Sequence, residues 1–239
     1  MRNILKKVMS FLIVISFVFM LYSVGNSIVM QYKKYQVSSE IEQVVALMKD
    51  TNTTSKHSLD YYKKYYQNDN IVGSLKIEGT GIETLLVKGN DNEYYLNHSI
   101  RNEYDIIGSI FVDYRTDLNS KQINIYGHNS NVYDVIFKKL ENYLDNKYYS
   151  DHKYIELWDG DKKSIYEIFS VQIVTDDYEH MDVFPQNRKS HLEKLSNGLY
   201  ETGIITNEED DVLVLQTCTY TPKNSFIIIN AKKVKEVKV

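Results

Sequence analysis

A succession of short apolar segments dominates the chain from residue 71 onward. Each is rich in branched or aromatic residues and is bounded by Gly, Asn, Asp or Ser, which is the pattern of strands joined by turns. Eight segments predict strands: 71–77, 82–87, 109–112, 123–126, 154–158, 164–174, 212–217 and 226–234. Residues 132–143 and 187–199 carry a helical pattern instead. The sequence therefore predicts a mainly β fold, a barrel or sandwich with inserted helices.

The amino-terminal stretch 8–30 departs from this globular pattern because it is nearly free of charge. About 20 apolar residues at ~1.5 Å each cross a hydrocarbon core of roughly 30 Å, so the stretch predicts a transmembrane signal-anchor. Arg2, Lys6 and Lys7 precede it, so residues 1–7 are expected in the cytoplasm and the remainder outside the cell. The alternative is a cleaved signal peptide, since Ser23 and Gly25 form a small-x-small pair.

The rest of the chain divides into a stalk and a main domain. Residues 31–70 are polar, with apolar residues at helical spacing in 39–49 and 57–66, and predict a helical stalk. Residues 71–239 form the predicted β domain. A net charge of -4 with mixed signs throughout argues against a nucleic-acid partner, since no basic face stands out.

Cys218 is the single cysteine and follows the apolar run VLVL at 212–215. A lone cysteine is commonly a buried structural residue. In an exported chain, however, it has no internal disulfide partner, so the thiol is either well buried or used in chemistry.

His128 also follows an apolar strand, INIY at 123–126, with Gly127 giving the backbone freedom beside it. Two strand ends of this kind are well placed to meet at one rim of a barrel. A Cys-His pair supports acyl transfer, because the thiolate attacks a carbonyl and the imidazolium protonates the leaving amine. The other five histidines lack the spacing of a zinc site with Cys218, and we expect solvent or structural roles for them, and no metal or cofactor.

Four segments carry a resemblance to a known family. LQTCTY around Cys218, YGHNS around His128, DNEYYLNHS at 91–99 and GSIFVDYR at 108–115 resemble a class B sortase, and the similarity covers about residues 71–233. It implies an eight-stranded sortase-type β-barrel with N-terminal helices and a helix inserted before the cysteine strand.

The resemblance also implies an activity, that of a membrane-anchored cysteine transpeptidase of the hydrolase class. Such an enzyme cleaves surface proteins after the threonine of a C-terminal sorting motif and holds the acyl group on Cys218. It then transfers that group to an amine of a peptidoglycan precursor, lipid II, with His128 as general acid and base. The product is either a wall-anchored protein or a pilus. Implied substrate contacts are Asn92, Leu96 and Gln216, for which a turn or strand-packing role is the alternative.

One family feature is missing. Sortases of this class carry an arginine on the strand after the cysteine, and the matching position here is Phe226. Oxyanion support would then come from backbone N–H groups or from Thr217, Ser225 or Lys223. The alternative function is a low-activity sortase-like module that binds or scaffolds. A papain-like protease is disfavoured, since that family places its cysteine before its histidine.

Overall fold

The computed structural model describes residues 2–49, 58–175, 178–204 and 206–239. The chain divides into two compact units, residues 1–42 and 43–239. Helix α1, Arg2–Lys49, runs without interruption through the predicted signal-anchor and the first predicted stalk helix. Within it, Phe11–Lys33 is long and apolar enough to cross a membrane, with a mean hydropathy of 2.1.

The second predicted stalk helix is present in shorter form. His57 lies outside the described residues, and the helix α2 spans Leu59–Tyr66. Its N-cap is Ser58, whose hydroxyl accepts from the Tyr61 N–H and so satisfies one of the free donors at the start of the helix. Tyr62 and Tyr66 face the β domain and are buried, in agreement with the expected packing role of this tyrosine run.

The β domain is a closed barrel. Its strands are β1 Ile71–Ile77, β2 Ile82–Val87, β3 Phe111–Val112, β4 Gln122–Tyr126, β5 Tyr154–Trp158, β6 Lys162–Val174, β7 Val212–Thr219 and β8 Ser225–Lys238. They close in the order β1-β2-β3-β4-β7-β8-β6-β5. The predicted mainly β, eight-stranded barrel is confirmed for the described part of the chain. β6 and β8 extend beyond their predicted limits because they pair with each other along nearly their whole length.

Two strand pairs in this barrel are parallel, β2 with β3 and β4 with β7. The remaining neighbours are antiparallel. Parallel strands end at the same edge of a sheet, so the carboxyl ends of β4 and β7 open onto one rim.

The run 212–215 is covered on both faces, which explains its lack of alternation. All four residues have no exposed surface. Val212 and Val214 pack against Leu192 and Leu195 of α4, Arg188–Leu195, while the other two residues face the opposite side.

Helix α4 corresponds to the helix predicted at 187–199. It ends four residues earlier than predicted, at Leu195, and its N-cap is Asn187.

At the other predicted helix, 132–143, the observed secondary structure differs from the prediction. The structure has a 3₁₀ helix at Ile136–Leu144, followed by α3 at Asn146–Asp151. The Ser130 hydroxyl accepts from the N–H groups of Val132 and Tyr133, which folds these residues into a turn and delays the helix.

Candidate active site

Cys218 and His128 lie at the ends of two neighbouring parallel strands. β4 and β7 pair in register up to Tyr126 and Gln216. The pairing continues one step further, since the Gly127 N–H donates to the Gln216 carbonyl at 3.2 Å. His128 and Cys218 each stand two residues beyond the last pair. They therefore occupy equivalent positions on the same face of the sheet, on strands about 4.8 Å apart.

Gly127 is required beside His128 by close packing. A Cβ on Gly127 would lie 2.6 Å from Cδ2 of Phe137, in the 3₁₀ helix. The Thr217 hydroxyl donates to the Gly127 carbonyl at 2.8 Å, which ties the two strand ends together again. The glycine therefore provides space for the 3₁₀ helix to close over the strand end.

The Cys218 side chain is accessible to solvent. The protein atoms around the sulfur nevertheless displace part of its hydration, and this burial raises the pKa of the Cys218 thiol. Its carbonyl accepts from Asn129 Nδ2 at 2.9 Å, and the same nitrogen donates to Glu141 Oε1 at 2.7 Å. Asn129, which directly follows His128, thus fixes the backbone of Cys218 through this hydrogen bond.

His128 is oriented by the loop that contains Leu96. Its Nε2 lies 2.7 Å from the Leu96 carbonyl oxygen, at the end of the 3₁₀ helix Tyr94–Leu96. A carbonyl oxygen can only accept, so Nε2 carries a proton in this contact. Nδ1 is therefore the ring nitrogen that remains for proton exchange.

Comparison with known proteins identifies the family of this chain. The family profile described as "Sortase domain" matches residues 75–234. Sortase B of Listeria monocytogenes is 32% identical over 157 residues, which are 63% of this chain and 63% of that protein. Sortase B of Staphylococcus aureus is 30% identical over 176 residues, 70% of this chain and 72% of that protein. The chain thus spans a little under two thirds of the Listeria protein's length.

The X-ray structure of a mutant form of Clostridium perfringens sortase B is similar to this chain. The two share a TM-score of 0.73 and 29% identity, over 83% of this chain and 98% of that one. This chain belongs to the sortase family, in class B.

Asn92 lies in the sortase loop expected to contact substrate, but its amide is committed to the protein. Asn92 Nδ2 donates to Asp113 Oδ2 at 3.0 Å, and Oδ1 accepts from the Tyr114 N–H at 3.0 Å. Asp113 is fully buried and also receives two hydrogen bonds from the Arg115 guanidinium. Burial alone would raise the pKa of Asp113, but these donors outweigh it and hold the pKa below its usual value. Asn92 thus belongs to a hydrogen-bond network centred on Asp113. The side chain of Leu96, in contrast, is partly exposed to solvent.

Phe226 stands directly across from the sortase cysteine. β7 and β8 pair so that Cys218 and Phe226 are Cα partners, which places both side chains on one face. The Phe226 ring lies 6.0 Å from that of Tyr178 and 6.4 Å from that of His180. The register thus pairs an aromatic residue with the cysteine across β7 and β8.

The described arginine side chains are engaged elsewhere. Arg115 bonds Asp113 and the Met181 carbonyl, and Arg188 donates to the carbonyls of residues 121, 208 and 210. Arg101 lies over the rings of two tyrosines of α2. In the described ranges, no three His, Cys, Asp or Glu side chains converge as a metal site.

Thr217 and Ser225 are not placed to stabilise an oxyanion at the sulfur. Each is adjacent to a residue of the Cys218–Phe226 pair, so each points to the opposite face. Both are about 1% exposed, and each hydroxyl donates to a backbone carbonyl, of Gly127 and Pro222 respectively. The strand alternation and the burial of both hydroxyls therefore disfavour either one as the substitute for the arginine.

Gln216 shares the face of Cys218 and contacts a residue that the sequence did not single out. Its Oε1 lies 2.7 Å from Nε2 of His180, in the connection between β6 and β7. His180 was expected to have a solvent or structural role, and no local pattern relates it to a strand 36 residues later. Asn129 was also missed, although its place directly after His128 was an available signal.

Proposed function

We propose that this protein is a membrane-anchored cysteine transpeptidase. It would cleave a surface protein after the threonine of a C-terminal sorting motif and transfer the acyl group to an amine of a peptidoglycan precursor, lipid II. The observation that carries the proposal is the parallel register of β4 and β7, which brings His128 and Cys218 to one rim. Membership of the sortase family supports the reaction class.

The first half of the reaction forms a thioester. The Cys218 thiolate attacks the carbonyl carbon of the threonine, and the carbonyl electrons move onto oxygen. When the intermediate collapses, the C–N bond breaks and the departing amine takes a proton from His128 Nδ1. The acyl group is then on sulfur and the imidazole is neutral.

The second half reverses these roles. The acceptor amine attacks the thioester carbon while His128 Nδ1 takes a proton from it. Collapse of this intermediate breaks the C–S bond, forms the new amide and regenerates the thiolate beside an imidazolium. Throughout, the Leu96 carbonyl holds Nε2 and so keeps the ring from rotating.

The protonation state of the Cys218 thiol in the free enzyme limits the rate of acylation. Because burial raises the pKa of the Cys218 thiol, the uncharged thiol dominates near neutral pH. This supports a slow enzyme whose turnover depends strongly on positioning.

Helix α1 supports attachment to the membrane. Phe11–Lys33 has the length and hydropathy of a membrane span. Arg2, Lys6 and Lys7 precede it and favour a cytoplasmic amino terminus, with the β domain outside the cell. Protease treatment of intact cells tests this orientation, since an extracellular barrel is degraded and a cytoplasmic one is protected.

The activity is tested with the full chain in detergent and fluorogenic peptides of the sorting-motif type. We expect cleavage by the parent chain, loss of cleavage in Cys218→Ala and His128→Ala, and an acyl adduct on Cys218 by mass spectrometry. If no peptide of this type is cleaved and no adduct forms, the proposal is wrong.

A second candidate function is a sortase-like binding or scaffold module, and Phe226 is the observation that favours it. That module would bind sorting peptides reversibly without forming a thioester. A chain that binds these peptides and is modified by a methanethiosulfonate reagent, yet never forms an acyl adduct, would support this second function.

A further inference from the structure

Gln216 and Cys218, near the carboxyl end of β7, have their side chains on the same face of the sheet. Residues two apart on a strand share a face, and they lie about 6.6 Å from each other. On β8 the partners of these two residues are Ile228 and Phe226, both apolar. On β7 and β8 Gln216 is therefore the polar side chain that stands next to the sulfur on its own face.

His180 fixes which end of the Gln216 amide points outward. Gln216 Oε1 accepts at 2.7 Å from His180 Nε2, so the amide nitrogen is directed away from the imidazole. Among the described residues, Gln216 Nε2 has no hydrogen-bond partner, and the side chain is partly exposed. Two N–H donors of Gln216 are thus available on the face of the sheet that carries Cys218.

His180 is itself held rigidly. It is 2% exposed, and its carbonyl accepts from Asn124 Nδ2 at 2.7 Å and from Gln122 Nε2 at 3.2 Å. Its ring packs 6.4 Å from Phe226. The aromatic residue at the arginine position therefore packs against the histidine that orients the glutamine.

We propose that the Gln216 carboxamide, oriented by His180, donates the hydrogen bond that stabilises the oxyanion of the acylation step in this chain. This inference rests on the proposed transpeptidase function. A carboxamide is suited to the task because a fixed neutral donor 2.7–3.1 Å from a developing oxyanion is worth about 10² to 10³ in rate. Gln216 is the catalytic residue and His180 is its positioning residue.

The test measures single-turnover formation of the Cys218 thioester by the full chain, with Gln216→Leu, Gln216→Glu and His180→Ala. We expect Gln216→Leu to slow acylation about 100-fold or more with little change in KM, because the contact is made in the transition state. Gln216→Glu, which keeps the size and the His180 contact, should be at least as slow because its charge repels the oxyanion. Gln186→Leu, at an exposed glutamine of the same β6–β7 connection, is the matched control and should acylate like the parent.

A double-mutant cycle separates positioning from a general structural role. His180→Ala should slow acylation in the parent but have no further effect in Gln216→Leu, because it acts through the amide. Modification of Cys218 by a methanethiosulfonate reagent forms no oxyanion. The rate of this reaction should therefore be the same in all variants, and an unchanged rate shows that the site is intact.

The outcomes are distinct. Acylation by Gln216→Leu at the parent rate, or a rise in KM with unchanged acylation rate, would overturn this inference and leave the transpeptidase function standing. A parent chain that reacts with the methanethiosulfonate reagent but never acylates would overturn the proposed function and this inference with it.

Discussion

The Asn129 side chain bridges the two halves of the active site: its Nδ2 donates to the Cys218 carbonyl at 2.9 Å and to Glu141 at 2.7 Å. Asn129 directly follows His128, so this amide couples the position of the imidazole to that of the thiol. Its buried Oδ1 has no hydrogen-bond partner within the described chain, so the side chain is held by its nitrogen alone.

Replacement of Asn129 by alanine should lower both stability and activity. The variant leaves the Cys218 carbonyl unpaired, which costs about 1–3 kcal/mol. We expect a lower melting temperature and slower acylation, measured by thermal unfolding and by thioester formation. Asn131→Ala, at an exposed asparagine two residues on, is the control. Equal acylation rates in the two variants would show that the bridge does not position the site.

An arginine placed at Phe226 should rescue loss of the glutamine amide. Phe226 pairs with Cys218 across β7 and β8, so a guanidinium there would face the oxyanion. We expect Phe226→Arg to raise acylation about tenfold or more in the Gln216→Leu background, within the range of one donor. Phe184→Arg, at a phenylalanine that is 68% exposed on the β6–β7 connection, should give no rescue. A strong gain from Phe226→Arg in the parent chain would instead mean that the parent lacks an effective donor.

Asp113→Asn should destabilise the fold by about 3 kcal/mol, since it breaks a buried ion pair. Asp113 joins Arg115, Tyr126 and Asn92, and thereby ties the 91–99 loop to β4. We expect the melting temperature to fall by roughly 6–12 °C. Asp151→Asn, at an exposed aspartate, is the control and should change it little.

The same carboxylate predicts a pH dependence. The pKa of Asp113 is lowered in the folded state, so its contribution to stability is present above the unfolded pKa of about 3.9 and is lost as pH falls below that value. Unfolding titrations should therefore show a smaller loss of stability on acidification in Asp113→Asn. An identical acid profile in both chains would contradict the assignment.

Thiol modification should report the raised pKa of Cys218. Only the thiolate reacts, so the rate of alkylation rises with pH up to the pKa. Because burial raises that pKa, the midpoint should lie above about 8.5, the value of a free cysteine. A midpoint near neutral pH would show that the thiolate is stabilised by a neighbouring charge, and the slow-enzyme expectation would then be wrong.

Most strands of the barrel could be predicted from the sequence, because the pattern that marks a strand lies within a few neighbouring residues. The predicted boundaries of β1, β2 and β5 match the observed strands residue for residue. The helix predicted at 132–143 was wrong in its first turn, since the Ser130 hydroxyl captures two N–H groups there. Side-chain capture of this kind is hard to weigh against helical periodicity from sequence alone.

The barrel strands, the apolar span in α1 and the two residues proposed to react could be predicted from the sequence, because periodicity, hydropathy and residue type are visible along the chain. The surroundings of the two residues could be found only in the folded chain. Whether Thr217 or Gln216 shares a face with Cys218 depends on the alternation of side chains along β7. The contact of Gln216 with His180 depends on how the β6–β7 connection folds back over the sheet. Such contacts join residues far apart in the chain, and no local pattern encodes them.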